Sequence, residues 1–160
     1  MYAAIQPIIA LAAALLLVSP STASTIKRQS ITNLGEIQFA APFCGNAKLH
    51  NINATDCATA VAQELAAICV NGVCKLPEGQ PPFSGTQVSR TVGACEIIIQ
   101  SKLVGLIPEF AEDSVANEFA TFVPQCVDPS NQIHNGNPVV RSVDGQFALL
   151  FSNGLPVGPE

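Results

Sequence analysis

Apolar residues first gather at positions 8–18 (IIALAAALLLV), eleven in a row, with Pro7 and Pro20 at either end. A membrane-spanning helix needs about 20 such residues, whereas the core of a secretory signal peptide needs roughly 7–15. Ser21-Thr22-Ala23 follows with the small-x-small spacing that signal peptidase recognises, so residues 1–23 read as a signal peptide cut after Ala23. The amino terminus of Met1 is the only positive charge ahead of that core.

Beyond the leader the pattern changes to short periodic segments. Residues 36–40 (EIQFA) alternate polar and apolar, the signature of a half-buried strand. Thr55 or Asp56 is placed to cap a helix running to Val70, with Cys57, Val61, Leu65 and Ile68 forming one apolar stripe. Asn71-Gly72 supplies the left-handed residues that would end it. Residues 75–85 hold Pro77, Pro81 and Pro82 and read as a loop. Residues 86–91 form a short strand, Gly93 a turn or bulge, and the β-branched run 94–100 a central strand. Glu112-Asp113-Ser114 opens a second helix, with negative charge at its positive dipole end. Val115, Phe119, Phe122 and Val123 make its stripe, and Pro124 closes it. Residues 128–138 read as a loop. Segments 139–143 and 146–152 then flank Asp144-Gly145, a type I′ hairpin signal.

The order strand, helix, one or two strands, helix, hairpin predicts an α+β fold. Two helices pack on one face of an antiparallel sheet, in a split β-α-β-like sandwich. That topology also predicts cysteine pairing. Cys44 ends the first strand and Cys57 opens the first helix, so the two share one end of the sheet. A strand at 95–100 parallel to the first would carry Cys95 to the opposite end, where the second helix delivers Cys126. Cys69 and Cys74 straddle a turn. The expected bridges are Cys44–Cys57, Cys69–Cys74 and Cys95–Cys126, one of the fifteen connectivities that six cysteines allow.

Charge narrows the setting. Lys27-Arg28 lies just past the signal, so residues 24–28 read as a short pro-segment ending in a dibasic site like those cut by kexin-type proteases. A pair of solvated charges on a loose N-terminal segment accounts for them equally well. Residues 29–160 form the single disulfide-braced domain, where Lys48, Lys75, Arg90, Lys102 and Arg141 face all twelve acidic residues for a net charge of −7. Without a basic cluster, nucleic acid and anionic membrane surfaces are poor partners. An even cysteine count behind a signal peptide implies oxidised pairs in an extracellular protein with no membrane span after processing. Six cysteines in 132 residues fall below the about 8–10% of a pure disulfide scaffold. The bridges therefore brace a core. Asn53-Ala54-Thr55 is an N-glycosylation sequon and marks an exposed loop.

No arrangement of residues carries a catalytic, cofactor or metal motif. Glu109, Glu112, Asp113 and Glu118 cluster near the second helix, but a charged helix start explains them without glycosidase chemistry. Any serine could be grouped with His134 and Asp144, yet there is no GxSxG elbow. His50 and His134 lie far apart and no CxxC occurs, which excludes the usual zinc spacings. Asp128, Asn131 and Asn135 do not match a calcium loop. Tyr2 lies in the leader and tryptophan is absent, so Phe is the only aromatic residue left for stacking on sugars. Phe43 and Phe83 fall in loop sequence, where they could serve as contacts.

Cys44, then Asp56-Cys57-Ala58 on a helix, then Gly93-Ala94-Cys95-Glu96-Ile97-Ile98-Ile99, then a helix ending at Cys126, resembles small cysteine-rich secreted proteins of fungi. The resemblance is to effector-type and killer-toxin-like members and spans roughly residues 36–152. It implies a compact α/β sandwich and a non-enzymatic interaction protein acting on host or competitor cells through an extracellular protein or glycan. A glycan-binding, lectin-like protein is the alternative, and a small secreted hydrolase a third. The Cys69/Cys74 pair and the proline-rich loop depart from the pattern. N-terminal sequencing of the secreted protein is expected to begin at Ser24, or at Gln29 where the dibasic pair is cut. Retention of residues 8–18 would overturn the processing scheme.

Overall fold

A computed structural model of the protein describes residues 30–45, 52–79, 85–127 and 137–153. The elements are β1 (Ser30–Gly35), α1 (Ala54–Ile68), β2 (Cys69–Val70), β3 (Val73–Lys75), β4 (Thr86–Val92), β5 (Cys95–Ser101), β6 (Leu106–Ala111), α2 (Glu112–Val127), β7 (Val139–Arg141) and β8 (Phe147–Ser152). The class is α+β, with two helices and three disulfides. The strands divide between two four-stranded sheets, ordered β1-β6-β3-β2 and β4-β5-β8-β7. All the strand pairs are antiparallel except β1 with β6.

None of the four strands of the first sheet stands out in the hydrophobic pattern: β2 and β3 flank the Asn71-Gly72 pair read as a helix end, and two more are hidden in other ways. β1 lies just before the alternating stretch 36–40. That stretch instead runs beside β7, with the Ala40 N–H donating to the Arg141 carbonyl at 2.9 Å and Phe43 exchanging bonds with Val139 at 2.8 and 2.9 Å. β6 contains Pro108, which ordinarily argues against an interior strand. Here the Pro108 carbonyl accepts from Leu76 N–H at 3.1 Å, just beyond the end of β3. A residue's N–H and C=O point to the same side of a strand, so the missing donor faces Leu76 and removes one bond of the ladder just past β3, while Gly79 N–H still bonds the Leu106 carbonyl at 3.2 Å.

Turn chemistry sorts differently from the sequence reading. Asn71 (φ 52°) and Gly72 (φ 78°) both adopt left-handed angles and join β2 to β3, with Val70 opposite Val73 and Cys69 opposite Cys74. They form the two-residue turn of a hairpin, and α1 has already ended at Ile68. At Asp144-Gly145 only the glycine has positive φ (70°), so this turn is not type I′. The Gly145 N–H bonds to the Ser142 carbonyl at 2.8 Å, closing a turn whose last residue is left-handed. Pro124 does not close α2, which continues to Val127.

The N-cap of α1 is Asn53, whose Oδ1 accepts from the backbone N–H of Thr55 (2.8 Å) and of Asp56 (3.4 Å). That leaves the Asp56 carboxylate to reach across to the β4–β5 turn, where it accepts from the Ala94 N–H at 2.8 Å. Gly93, at φ 51° in the same turn, faces that carboxylate so closely that a Cβ built there would fall inside it. Beside this contact, Cys57 of α1 is bonded to Cys95 of β5, with Cα atoms 5.1 Å apart.

The expected bridges Cys44–Cys57 and Cys95–Cys126 are therefore replaced by Cys57–Cys95 and Cys44–Cys126. The expectation placed residues 36–40 and 95–100 as parallel strands of one sheet. In the structure α1 starts over the β4–β5 turn, and residues 38–43 follow the edge of β7, ending at Cys44 beside the last turn of α2. The third bridge, Cys69–Cys74, spans the β2–β3 hairpin.

The core lies between the helices and the inner faces of both sheets. Ile97, Ile99, Leu149 and Phe151 of the second sheet meet Val61, Leu65, Phe119, Phe122 and Val123 of the helices. Phe122 packs against Phe151 with rings tilted by 58° and centroids 4.9 Å apart, and Phe110 of β6 meets Phe147 of β8 at the same distance, joining the two sheets. Glu64 is buried on α1 and bonds to Arg90 of β4 at 3.0 Å. Gly93→Ala and Asp56→Ala are each expected to cost about 1–3 kcal/mol of unfolding free energy. The double variant should cost less than the sum, since removing the carboxylate gives the new methyl room. Denaturant titration with the disulfides intact measures this, and strict additivity would show that the two residues do not oppose each other.

Candidate functional site

The acidic residues singled out in the sequence do not converge. Glu109 on β6 is bonded to Lys75 of β3 at 3.1 Å, Asp113 is exposed, and Glu112 stands at the start of α2. Glu118 is half-buried, and desolvation raises its carboxyl above the usual range. No group of three His, Cys, Asp or Glu side chains that could hold a metal occurs among the described residues. His50, His134, Phe83, Asp128, Asn131 and Asn135 lie outside the described residues, as do Ala23, Lys27 and Arg28. All six cysteines are bonded in pairs.

Asp144 is engaged in the β7–β8 turn. The Ser142 hydroxyl donates to its carboxylate and accepts from the Phe147 N–H at 2.8 Å. The Ser142 hydroxyl first, and the Gln146 N–H at 3.0 Å second, hold the Asp144 carboxyl below its ordinary range. These bonds close the turn beside a cavity of about 340 Å³.

Asn53 is exposed at the start of α1. Its Oδ1 serves the helix cap, while a glycan would attach through Nδ2, so capping and glycosylation use different atoms of the same side chain. Phe43 is 43% exposed next to the buried Cys44.

The larger feature lies between the helices. Glu112 N–H donates to the Gly72 carbonyl at 2.9 Å, which sets the start of α2 beside the end of α1. The helices therefore pack antiparallel, and a cavity of about 600 Å³ opens along their seam. Its floor is Val61, Leu65, Phe119 and Val123, all buried. Its walls are Ala54, Ala58, Ala62 and Ala66 on α1, and Ala116, Ala120 and Pro124 on α2. Residues four apart stack into one ridge on a helix, so each wall is a row of methyl groups too short to meet the other. Ala58, Ala62, Ala66, Ala120 and Pro124 are exposed, which leaves the groove open to solvent.

Charge around the groove is one-sided. Asp56 and Glu64 of α1 turn to the β4–β5 turn and to Arg90 of β4, while α2 opens with Glu112 and Asp113, and neither helix has a Lys or Arg. Glu112 is the one charged residue in the lining. The sequence reading followed the stripe Cys57, Val61, Leu65 and Ile68 and gave the alanines of α1 no role. The signal that could have found the groove is their spacing at 54, 58, 62 and 66, repeated at 116 and 120.

No protein-family model matches the chain, and no curated protein matches it. Because Ala62 points into open groove, Ala62→Arg is expected to change stability by less than about 0.5 kcal/mol, as for a surface position. A thermal melt shifted by many degrees would show that the groove is closed in solution.

Proposed function

We propose that this chain is a secreted, non-enzymatic interaction protein, effector- or toxin-like, that acts on host or competitor cells by docking an extracellular partner. The observation that carries the reading is the open apolar groove between α1 and α2, whose floor belongs to the core and whose walls are exposed alanines. Apolar surface open to water at the centre of a folded domain is a feature of binding sites. Three disulfides suit an oxidising, extracellular compartment. Among the described residues no helix is long and apolar enough to cross a membrane, which is compatible with release from the cell. Sugar recognition is less well served, because the groove offers methyl groups and a single carboxylate rather than polar groups and stacking rings.

The oxidised, purified protein applied to plant tissue and to fungal cultures tests this. Necrosis or growth arrest in at least one setting is expected, with the effect lost in Ala62→Arg. Inertness of the wild-type protein in both would overturn the effector- or toxin-like reading.

A further inference from the structure

The groove has chemistry specific enough to describe its occupant. Its walls are two α-helices, whose backbone donors and acceptors are spent on their own ladders, and its side chains are almost all hydrocarbon. A strand bound there would leave its backbone groups without partners, and a glycan its hydroxyls. A ligand suited to this lining satisfies its polar groups internally and presents a bare apolar surface. An α-helix with one apolar stripe does both.

The shape agrees. From Ala54 to Ala66 the α1 wall is about 18 Å long at 1.5 Å per residue, enough for roughly three turns of a bound helix. Alanine ridges spaced four residues apart leave room for larger side chains of a third helix to sit between the rows. An alkyl chain lying in so open a trough would keep much of its own surface in water, whereas a helix covers the groove with its own bulk.

Charge sets the orientation. Glu112 lines the groove and Asp113 follows it, so one end is acidic, while neither helix supplies a cation. A second copy of this chain has no Lys or Arg on either helix, so its helix pair would leave that end unmatched in either orientation. A partner helix with Lys or Arg at the matching end of its stripe would complement it.

We propose, resting on the interaction reading above, that the α1/α2 groove receives an amphipathic α-helix of a partner protein, with Leu-like side chains between the alanine rows and a basic residue against Glu112 and Asp113.

The test uses the full secreted, disulfide-bonded protein and a labelled synthetic helix of about three to four turns. The peptide carries one leucine stripe and two lysines at one end. Fluorescence anisotropy is expected to show saturable binding that is lost in Ala62→Arg and absent for a scrambled peptide of the same composition. Glu112→Lys should weaken binding roughly two- to fivefold at low salt, the size of an exposed ion pair. A peptide with glutamates in place of its lysines should recover that loss on the Glu112→Lys protein. Recovery by charge exchange separates an electrostatic role of Glu112 from damage to the start of α2. Equal binding of the scrambled peptide, or no binding by any peptide, overturns the proposal, as does uptake of laurate in competition with a fluorescent fatty acid while the peptides fail. Loss of peptide binding with cell activity intact sinks the helix proposal alone, whereas inertness on cells with peptide binding intact sinks the effector reading alone.

Discussion

Helix α1 lies across the β4–β5 hairpin because its first turn is fastened to the turn of that hairpin by two different bonds. Asp56 accepts the Ala94 N–H at 2.8 Å, and one residue on, Cys57 is linked to Cys95. The carboxylate can come so close because position 93 has no side chain. Once this corner is fixed, α1 packs on β4 and β5, with Val61, Leu65, Ile97 and Ile99 in one buried core, and Glu64 reaches Arg90. The carboxylate has no competing task, since Asn53 caps the helix. The Asp-Cys and Gly-Ala-Cys segments are thus two halves of one joint, and their role is to hold the helix at a set angle.

The remaining bridges secure what that joint leaves free. Cys44–Cys126 ties the last turn of α2 to the segment running beside β7, across 82 residues of sequence, and Cys57–Cys95 closes 38. In the chain-entropy model, loops of this size restrict the unfolded chain by about 4 kcal/mol each, with less than full additivity because one lies inside the other. Pro124 fits the same logic. It removes one helical donor near the end of α2, where Ala120 is exposed and its carbonyl can turn to water. The disulfide two residues later holds the turn in place.

Much of this was legible in the sequence, in physical terms that also explain the gaps. Both helices follow from apolar stripes that face the core, β5 from its β-branched run, and β7 and β8, the latter buried on both faces, from the Asx-Gly pair between them. β1 and β6 escaped notice, the one beside a stretch that alternates more cleanly and the other interrupted by Pro108, and the short β2 and β3 were absorbed into the end of the helix and the loop after it. The two Asx-Gly pairs look alike as sequence, yet only Asn71-Gly72 forms the two-residue hairpin turn, since Ser142 gives the Asp144 turn a hydroxyl to close on. Cysteine pairing depended on whether residues 36–40 share a sheet with β5, a long-range fact that local pattern does not contain. The groove was not legible because an alanine fits a buried or an exposed helix face equally well, and its exposure depends on what lies opposite.

The alanines acquire their meaning from the disulfides. Larger aliphatic residues at 62, 66 and 120 could cover Val61, Leu65, Phe119 and Val123, and each buried methylene would add about 0.8 kcal/mol. The chain instead keeps short side chains at those positions and leaves the seam open. A small domain without covalent braces has little stability to spare for such an opening. Here two long-range bridges hold the first turn of α1 and the last turn of α2, so the surface between the helices does not have to serve packing. The braces free one face of the helix pair from the core, and the single charge on that face, Glu112, has no Lys or Arg on either helix beside it.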